Sequence, residues 1–321
     1  MHSIKQLQDL VNEAIAQTKY PSHPKELYEP IKYLMGPGGK RMRPVLVLLS
    51  AELFGGQASK AMGAALGIEL FHNFTLMHDD IMDKAPLRRG KPTVHVKWSE
   101  SAAILSGDVM LVEAYKMMVK VDTAILREVL DVFNETAAAV CQGQQGDMNF
   151  EIRDDVSIEE YLQMIRQKTA VLLAGSMQIG ALIGGAEKSQ AERLYEFGEN
   201  LGLAFQLQDD ILDVYGDPEK FGKQIGGDII ANKKTFLLIK AKDINTGPEL
   251  NTWLTGNAHD PVDKVTAITS IYDKLEVRKL AEAQMEAYVR KALTCLDEIA
   301  VENNTKLLLK GFAEQLLIRE N

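Results

Sequence analysis

Cysteine is nearly absent. Cys141 and Cys295 stand far apart in 321 residues, each without a nearby partner, which implies a reducing compartment and excludes a disulfide framework or a cysteine metal site. A basic excess is also lacking: 36 Lys and Arg face 45 Asp and Glu, for a formal charge of −9. Surfaces that hold nucleic acid or anionic membrane need the opposite balance, so neither is an expected partner, and an anionic ligand has to be met by local basic clusters. Long apolar runs are missing as well. The N-terminal MHSIKQLQDLVNEAIAQ has polar residues at helical spacing where a signal peptide would have an apolar core. The most membrane-like stretch, AMGAALGIELFHNFTLM, is interrupted by Glu69, His72 and Asn73, which suits a buried helix better than a membrane span. A soluble, cytoplasmic protein is expected.

Alternating strand patterns do not appear either. Apolar residues recur instead at three- and four-residue intervals almost from end to end, as in IKQLQDLVNEAI, LREVLDVFNETAAAV and VRKLAEAQMEAYVRKALTCLDEI. Turn-rich breaks fall at 20–24, 36–40, 54–57, 84–92, 215–227 and 255–261, and no linker or low-complexity tract divides the chain. The expectation is an all-α fold, a single domain over residues 1–321 built from about ten to thirteen helices. The helix over Ala61 to Lys84 is apolar on nearly every face, so it belongs at the centre of a bundle.

That central helix ends in HDDIMD, with Asp79, Asp80 and Asp83, and FQLQDDILD repeats the spacing with Asp209, Asp210 and Asp213. Residues i and i+4 share a helix face, so Asp79 with Asp83, and Asp209 with Asp213, each project a carboxylate pair. At a helix C-terminus those charges meet the unfavourable end of the dipole, and two such sets facing one another repel. Hard divalent cations relieve this, and Mg²⁺ characteristically takes one or two carboxylates, waters and substrate phosphate oxygens. An EF-hand is excluded, because neither copy has its ligand order.

Basic residues gather in four places: Lys40, Arg41 and Arg43 in GGKRMRP, Arg88 and Arg89 in LRRGK, Lys168 in RQKTA, and Lys223 and Lys233 in GKQIGGDIIANKKT. Singly, each reads equally as a solvated loop charge. Beside two aspartate motifs they read as ligands for phosphate.

GGKRMRP, FHNFTLMHDD with IMDKAPLRRGKPTVH, LSGD, GQQGD, QKTA, FQLQDDILD and GKQIGGDIIANKKT occur in this order from about residue 38 to 235. In this the chain resembles the trans-prenyl diphosphate synthases, or polyprenyl synthetases, of the short-chain type. The resemblance implies an all-α bundle around a deep cavity, a homodimer, and three Mg²⁺ per site held against the diphosphate of an allylic substrate. It makes Asp79, Asp83 and Asp209 the principal metal ligands, with Asp80, Asp210 and Asp213 in support. Arg88, Lys168, Thr169, Gln206, Lys223 and Lys233 then contact the allylic diphosphate. Gly39, Lys40, Arg43, His72 and Arg89 hold isopentenyl diphosphate. One departure is Asn232-Lys233, where many bacterial members have Gly-Lys. The implied activity is head-to-tail condensation to geranylgeranyl or, next, farnesyl diphosphate. A longer-chain synthase, a terpene cyclase or head-to-head synthase, and a non-catalytic partner subunit are the alternatives. Two intact aspartate motifs and GGKRMRP favour elongation over the last three.

Helix rise bears on product length. Phe74 lies five residues before Asp79, about 7.5 Å deeper along the helix, and Phe71 about 12 Å deeper; either plugs a cavity floor or simply fills the core. An aromatic at position 74 with Thr75 beside it and no insertion in the motif resembles the geranylgeranyl-forming pattern. Phe74→Ala is expected to lengthen the principal product, measured by sizing the prenyl alcohols; an unchanged distribution contradicts the floor.

Overall fold

The computed structural model describes residues 1–36, 39–217, 225–245, 247–255 and 260–317. The expected breaks separate its helices. α1 (Ile4–Gln17), α2 (Lys25–Met35), α3 (Met42–Leu53) and α4 (Ala58–Met82) are divided by the first three, and Ser3 starts α1 with a capping box closed by Gln6. The fourth break, expected only as a turn, is a hairpin of β1 (Leu87–Arg88) and β2 (Lys91–Pro92), the only strands among the described residues. Two-residue strands are too short to show an alternating pattern. α5 (Val94–Lys97), α6 (Glu100–Met118), α7 (Leu126–Glu151) and α8 (Ile158–Ile165) follow. A π turn, Arg166–Ala170, then runs directly into α9 (Val171–Gly184), and α10 (Lys188–Tyr215) carries the second aspartate motif. The remaining helices are α11 (Gly227–Ile230), α12 (Phe236–Ile244), α13 (Glu249–Thr255), α14 (Pro261–Lys274), α15 (Val277–Asp297) and α16 (Asn303–Leu317). No helix among the described residues is long and apolar enough to cross a membrane.

The chain divides into two compact units. The first comprises Met1–Ala137, Gly175–Tyr195 and Ile299–Leu309, and the second Ala138–Ala174, Glu196–Glu298 and Lys310–Asn321. In the first, α4 packs against both α3 and α6. Its low polarity on every side follows, with Ala61, Ala64, Ala65, Ile68, Leu70 and Phe71 all buried. Val45 to Leu49 of α3 are fully sealed, the continuous run of a helix covered all round. The second unit has its own core, in which Tyr161, Leu207, Phe236, Ile268 and Tyr272 meet.

Within the second unit the π turn is pressed from two sides. A Cβ on Gly143 of α7 would stand 2.2 Å from the backbone N of Lys168, and one on Gly202 of α10 would stand 2.6 Å from Cα of Ala170. Both contacts are closer than van der Waals packing permits, so glycine is required where these helices touch the turn. π turns are uncommon and concentrate at functional sites, and this one carries Lys168 and Thr169. Gly143→Ala is expected to cost about 1–3 kcal/mol by overpacking, read as a lower denaturation midpoint. Gly311→Ala, where nothing lies within 4 Å, is the control; wild-type stability of Gly143→Ala contradicts the account.

Candidate active site

In the first unit, α4 ends in a Schellman motif. The Ala85 N–H donates to Asp80 O at 2.9 Å and the Lys84 N–H to Ile81 O at 3.1 Å, with Lys84 in the left-handed region at φ 51°. The chain therefore leaves the aspartate motif and turns at once into the hairpin. Arg88 pairs with Lys91 and Leu87 with Pro92. The two-residue loop, Arg89 at φ 52° and Gly90 at φ 72°, has the positive angles of a type I′ turn.

This turn gives the two neighbouring arginines different places. Arg88 returns to the helix end, its Nε and Nη2 both 2.8 Å from Asp80 Oδ1 and its Nη2 3.8 Å from Asp79 Oδ2. Arg89 lies against Gly39, where a Cβ would stand 3.1 Å from its Nη1. Asp80 is buried, and burial raises its pKa against the opposing pull of Arg88. Asp79 is partly covered, and Asp83, the C-cap residue, is exposed.

GGKRMRP also separates. Arg41 is 3% exposed. Its Nη1 donates to Glu69 Oε1 at 2.6 Å, its Nη2 to the carbonyls of Met35 and Gly36 at 2.8 and 2.7 Å, and its Nε to Asn12 Oδ1 at 3.3 Å. Arg41 thus ties α1, α2 and α4 together. Arg43 Nη1 instead lies 3.2 Å from His72 Nε2. Burial holds the pKa of Arg43 down to about 10. Burial, followed by the nearby charges of Arg43, Arg89, Arg88 and Arg41, holds His72 well below its ordinary value. A neutral imidazole among four guanidinium groups is a local cationic setting in an acidic protein. Lys40 is exposed, its carbonyl accepting from Gln8 Nε2 at 3.0 Å.

Further down α4, Phe71 is in the core, Phe74 is half-buried, and the Thr75 hydroxyl donates to His72 O at 2.8 Å. His78 Nε2 lies 3.1 Å from the carbonyl of Ile104.

In the second unit, the middle aspartate is again the buried one. Asp210 is 4% exposed; Tyr161 Oη donates to its Oδ2, Gln206 Nε2 to its Oδ1 at 3.2 Å, and the Phe236 N–H to Oδ2 at 3.4 Å. Burial, then the charge of Asp228, pushes its pKa up to about 7. Burial likewise keeps the Tyr161 phenol well above its usual range and therefore protonated as a donor. The network continues to the π turn, where Thr169 Oγ1 donates to Gln206 Oε1 at 3.2 Å. Lys168 Nζ donates to Asp147 Oδ2 at 2.5 Å. Asp213 Oδ2 accepts from the Asp228 N–H at 3.0 Å and so caps α11; Asp209 is half-buried on the same helix.

α11 closes in a second Schellman motif, the Lys233 N–H donating to Asp228 O at 2.9 Å and the Asn232 N–H to Ile229 O at 3.1 Å. Asn232 takes the left-handed position at φ 52°. Glycine and asparagine are the two residues that favour this position, which explains how Asn-Lys replaces Gly-Lys without altering the turn. Lys233 Nζ is 3.9 Å from Asp228 Oδ1. Lys223 lies outside the described residues.

The site expected from the sequence lacked two residues. Asp147 sits in GQQGD, a motif noted in the sequence, but its pairing with Lys168, 21 residues away, is seen only in the structure. Tyr161 is 49 residues from Asp210 and carries no local signal. As metal donors, the aspartates offer hard oxygens suited to Mg²⁺. Among the described residues no three His, Cys, Asp or Glu side chains gather closely enough to hold an ion alone.

The family model described as polyprenyl synthetase matches residues 24–274. The chain is 38% identical to the geranylgeranyl diphosphate synthase of Methanosarcina mazei over 326 residues, covering 99% of this chain and 97% of that one. It is 36% identical to the short chain isoprenyl diphosphate synthase of Methanothermobacter thermautotrophicus, over 100% and 99% of the two. A crystal structure of a geranylgeranyl pyrophosphate synthase superposes with a TM-score of 0.96 at 43% identity, covering all of both chains.

The opposite placements of Arg41 and Arg43 are directly testable. Arg41→Ala strands Glu69 in the interior and is expected to cost about 3–5 kcal/mol of stability, measured by denaturant unfolding. A loss below ~1 kcal/mol contradicts a buried pair.

Proposed function

Because the chain belongs to the polyprenyl synthetase family and is a trans-prenyltransferase, we propose that it condenses isopentenyl diphosphate with an allylic diphosphate to make geranylgeranyl diphosphate. The observation that carries this reading is that the two aspartate motifs are built alike, each in its own unit. Each buries its middle carboxylate on protein donors, and its i and i+4 carboxylates share one helix face.

Asp79, Asp83 and Asp209 are the principal Mg²⁺ ligands in this proposal, with Asp213, Asp80 and Asp210 in support. Family members are generally Mg²⁺-dependent, and three ions per site are proposed. Bound Mg²⁺ supplies stabilisation of the negative charge that develops as the allylic C–O bond breaks. Arg88, Lys168 and Lys233 add cationic donors to the same leaving diphosphate, with Thr169 and Gln206 as neutral ones and Lys223 as a further cation. Arg88 and Lys168 are already oriented by Asp80 and Asp147. Lys40, Arg43, Arg89 and the Gly39 backbone hold the diphosphate of isopentenyl diphosphate, beside a His72 kept neutral. They keep its double bond close to the allylic carbon. No side chain is assigned as the base; the released diphosphate takes the proton.

The C20 product is supported by Phe74, an aromatic about 7.5 Å below Asp79, and by relatives named for geranylgeranyl diphosphate. A homodimer is supported by the exposed apolar face of α6 and its C-cap residue, where Ile104, Leu105, Val112 and Val119 are 46–58% exposed. A cytoplasmic location is supported by the scarcity of cysteine, Cys141 and Cys295 lying far apart in a sequence that offers no disulfide framework.

Asp79→Ala and Asp209→Ala are each expected to lower turnover by about 10²- to 10³-fold or more while thermal unfolding stays within a few degrees of wild type. Near-normal turnover in either variant contradicts the assignment.

A further inference from the structure

The turn that carries Lys233 is held from two sides within the second unit. On one side it hangs from the second aspartate motif. Asp213 O accepts from the Gly226 N–H at 2.6 Å, and Asp213 Oδ2 from the Asp228 N–H at 3.0 Å. On the other side it meets α13 and α14. Asn232 Nδ2 donates to the carbonyl of Leu254 in α13 at 3.1 Å, and Asn232 Oδ1 accepts from Lys264 Nζ of α14 at 2.7 Å. The same ammonium donates to the carbonyl of Ile230, the last residue of α11, at 3.0 Å. Beside it, a Cβ on Gly226, at φ 77°, would stand 2.6 Å from Cγ2 of Val265, so glycine at that position lets α14 seat directly on the turn.

These contacts give Lys264 a place in the site that its sequence neighbourhood does not suggest. A lysine in the first turn of α14 opposes that helix's own dipole, so its stabilising contacts lie with the neighbouring turn. Both acceptors are uncharged, and hydrogen bonds from an ammonium to them are stronger than those between neutral groups. A carbonyl at the end of a short helix also lacks an intrahelical donor. Asn232 is, further, the position where this chain departs from Gly-Lys. Glycine would satisfy the φ of 52° equally well, but only a side chain reaches Leu254 and Lys264. Lys233 follows at once, its N–H on Asp228 O and its Nζ 3.9 Å from Asp228 Oδ1, so a shift of Asn232 shifts Lys233.

We infer that Lys264 is a positioning residue for the allylic diphosphate, which acts through Asn232 to hold the Lys233 ammonium in register with the second aspartate motif. The inference rests on the reading of Lys233 as a donor to that diphosphate. Lys264 does not itself meet substrate in this account; its effect appears in the affinity for one substrate and not the other.

The test is steady-state kinetics with Mg²⁺, isopentenyl diphosphate and farnesyl diphosphate, for the full chain and for Lys264→Met, Asn232→Gly, the double variant and Lys233→Ala. Lys264→Met keeps the alkyl stem and removes the donors. It is expected to raise KM for farnesyl diphosphate about three- to tenfold, the equivalent of one hydrogen bond. KM for isopentenyl diphosphate, whose proposed ligands Lys40, Arg43 and Arg89 all lie in the first unit, should stay at the wild-type value. Asn232→Gly retains the left-handed turn and should raise the same constant. In the double variant the rise should be smaller than the product of the two single effects, because the two residues share a contact. If Lys233→Ala raises KM for farnesyl diphosphate while Lys264→Met moves neither constant, or moves both alike, the positioning role is overturned and the reading of Lys233 stands. Independent effects of Lys264→Met and Asn232→Gly overturn the route through Asn232. If Lys233→Ala leaves the constant unchanged, the reading of Lys233 fails and this inference fails with it. A merely structural role lowers the unfolding midpoint without separating the two substrates.

Discussion

A carboxylate withdrawn from water costs several kcal/mol unless donors replace its hydration, and this protein meets that cost twice, at Asp80 and Asp210. Arg88 replaces the water at Asp80. Tyr161, Gln206 and the Phe236 N–H replace it at Asp210. Once the middle residue of each motif is fixed, helix geometry fixes the rest, because the residues on either side at i and i+4 share a face. Two of the donors that hold the buried carboxylates, Arg88 and Gln206, are also residues proposed to meet diphosphate, so orienting the aspartates orients them and, through Gln206, Thr169.

Local backbone chemistry then distributes the cations. Lys84, Arg89 and Asn232 all accept left-handed conformations, and each sits where the chain must reverse within a residue or two of a functional side chain. The reversal at Arg89 separates its guanidinium from that of Arg88, which lets adjacent residues serve different anions. Net acidity is no obstacle to this, because four guanidinium groups influence His72 within one small region. A diphosphate meets that local field, whatever the charge of the surface as a whole.

Much of this was legible in the sequence, and the exceptions share a cause. Helix breaks were visible because Gly, Pro and Asp mark them, and α4 was recognisable because a helix buried on all sides leaves no polar face. The aspartate motifs were visible because they are repeated at one spacing. What could not be read depends on contacts distant in the chain or on backbone detail. Arg41 and Arg43 are chemically alike and two residues apart, and only the position of Glu69 on α4 decides that one is structural. Tyr161 reaches Asp210 from a different helix, and the π turn at Lys168 exists because Gly143 and Gly202 let two helices close on it. The hairpin at Arg88 was read as a turn because its strands hold two residues each.

The central claim is that these aspartates and cations ionise an allylic diphosphate for elongation with isopentenyl diphosphate. Its most direct test is to incubate the purified protein with isopentenyl diphosphate, Mg²⁺ and the dimethylallyl, geranyl or farnesyl primer in turn, and to size the products with and without a chelator. The account predicts a C20 product from each primer and none once the cation is removed. Failure to elongate any of the three primers would contradict it.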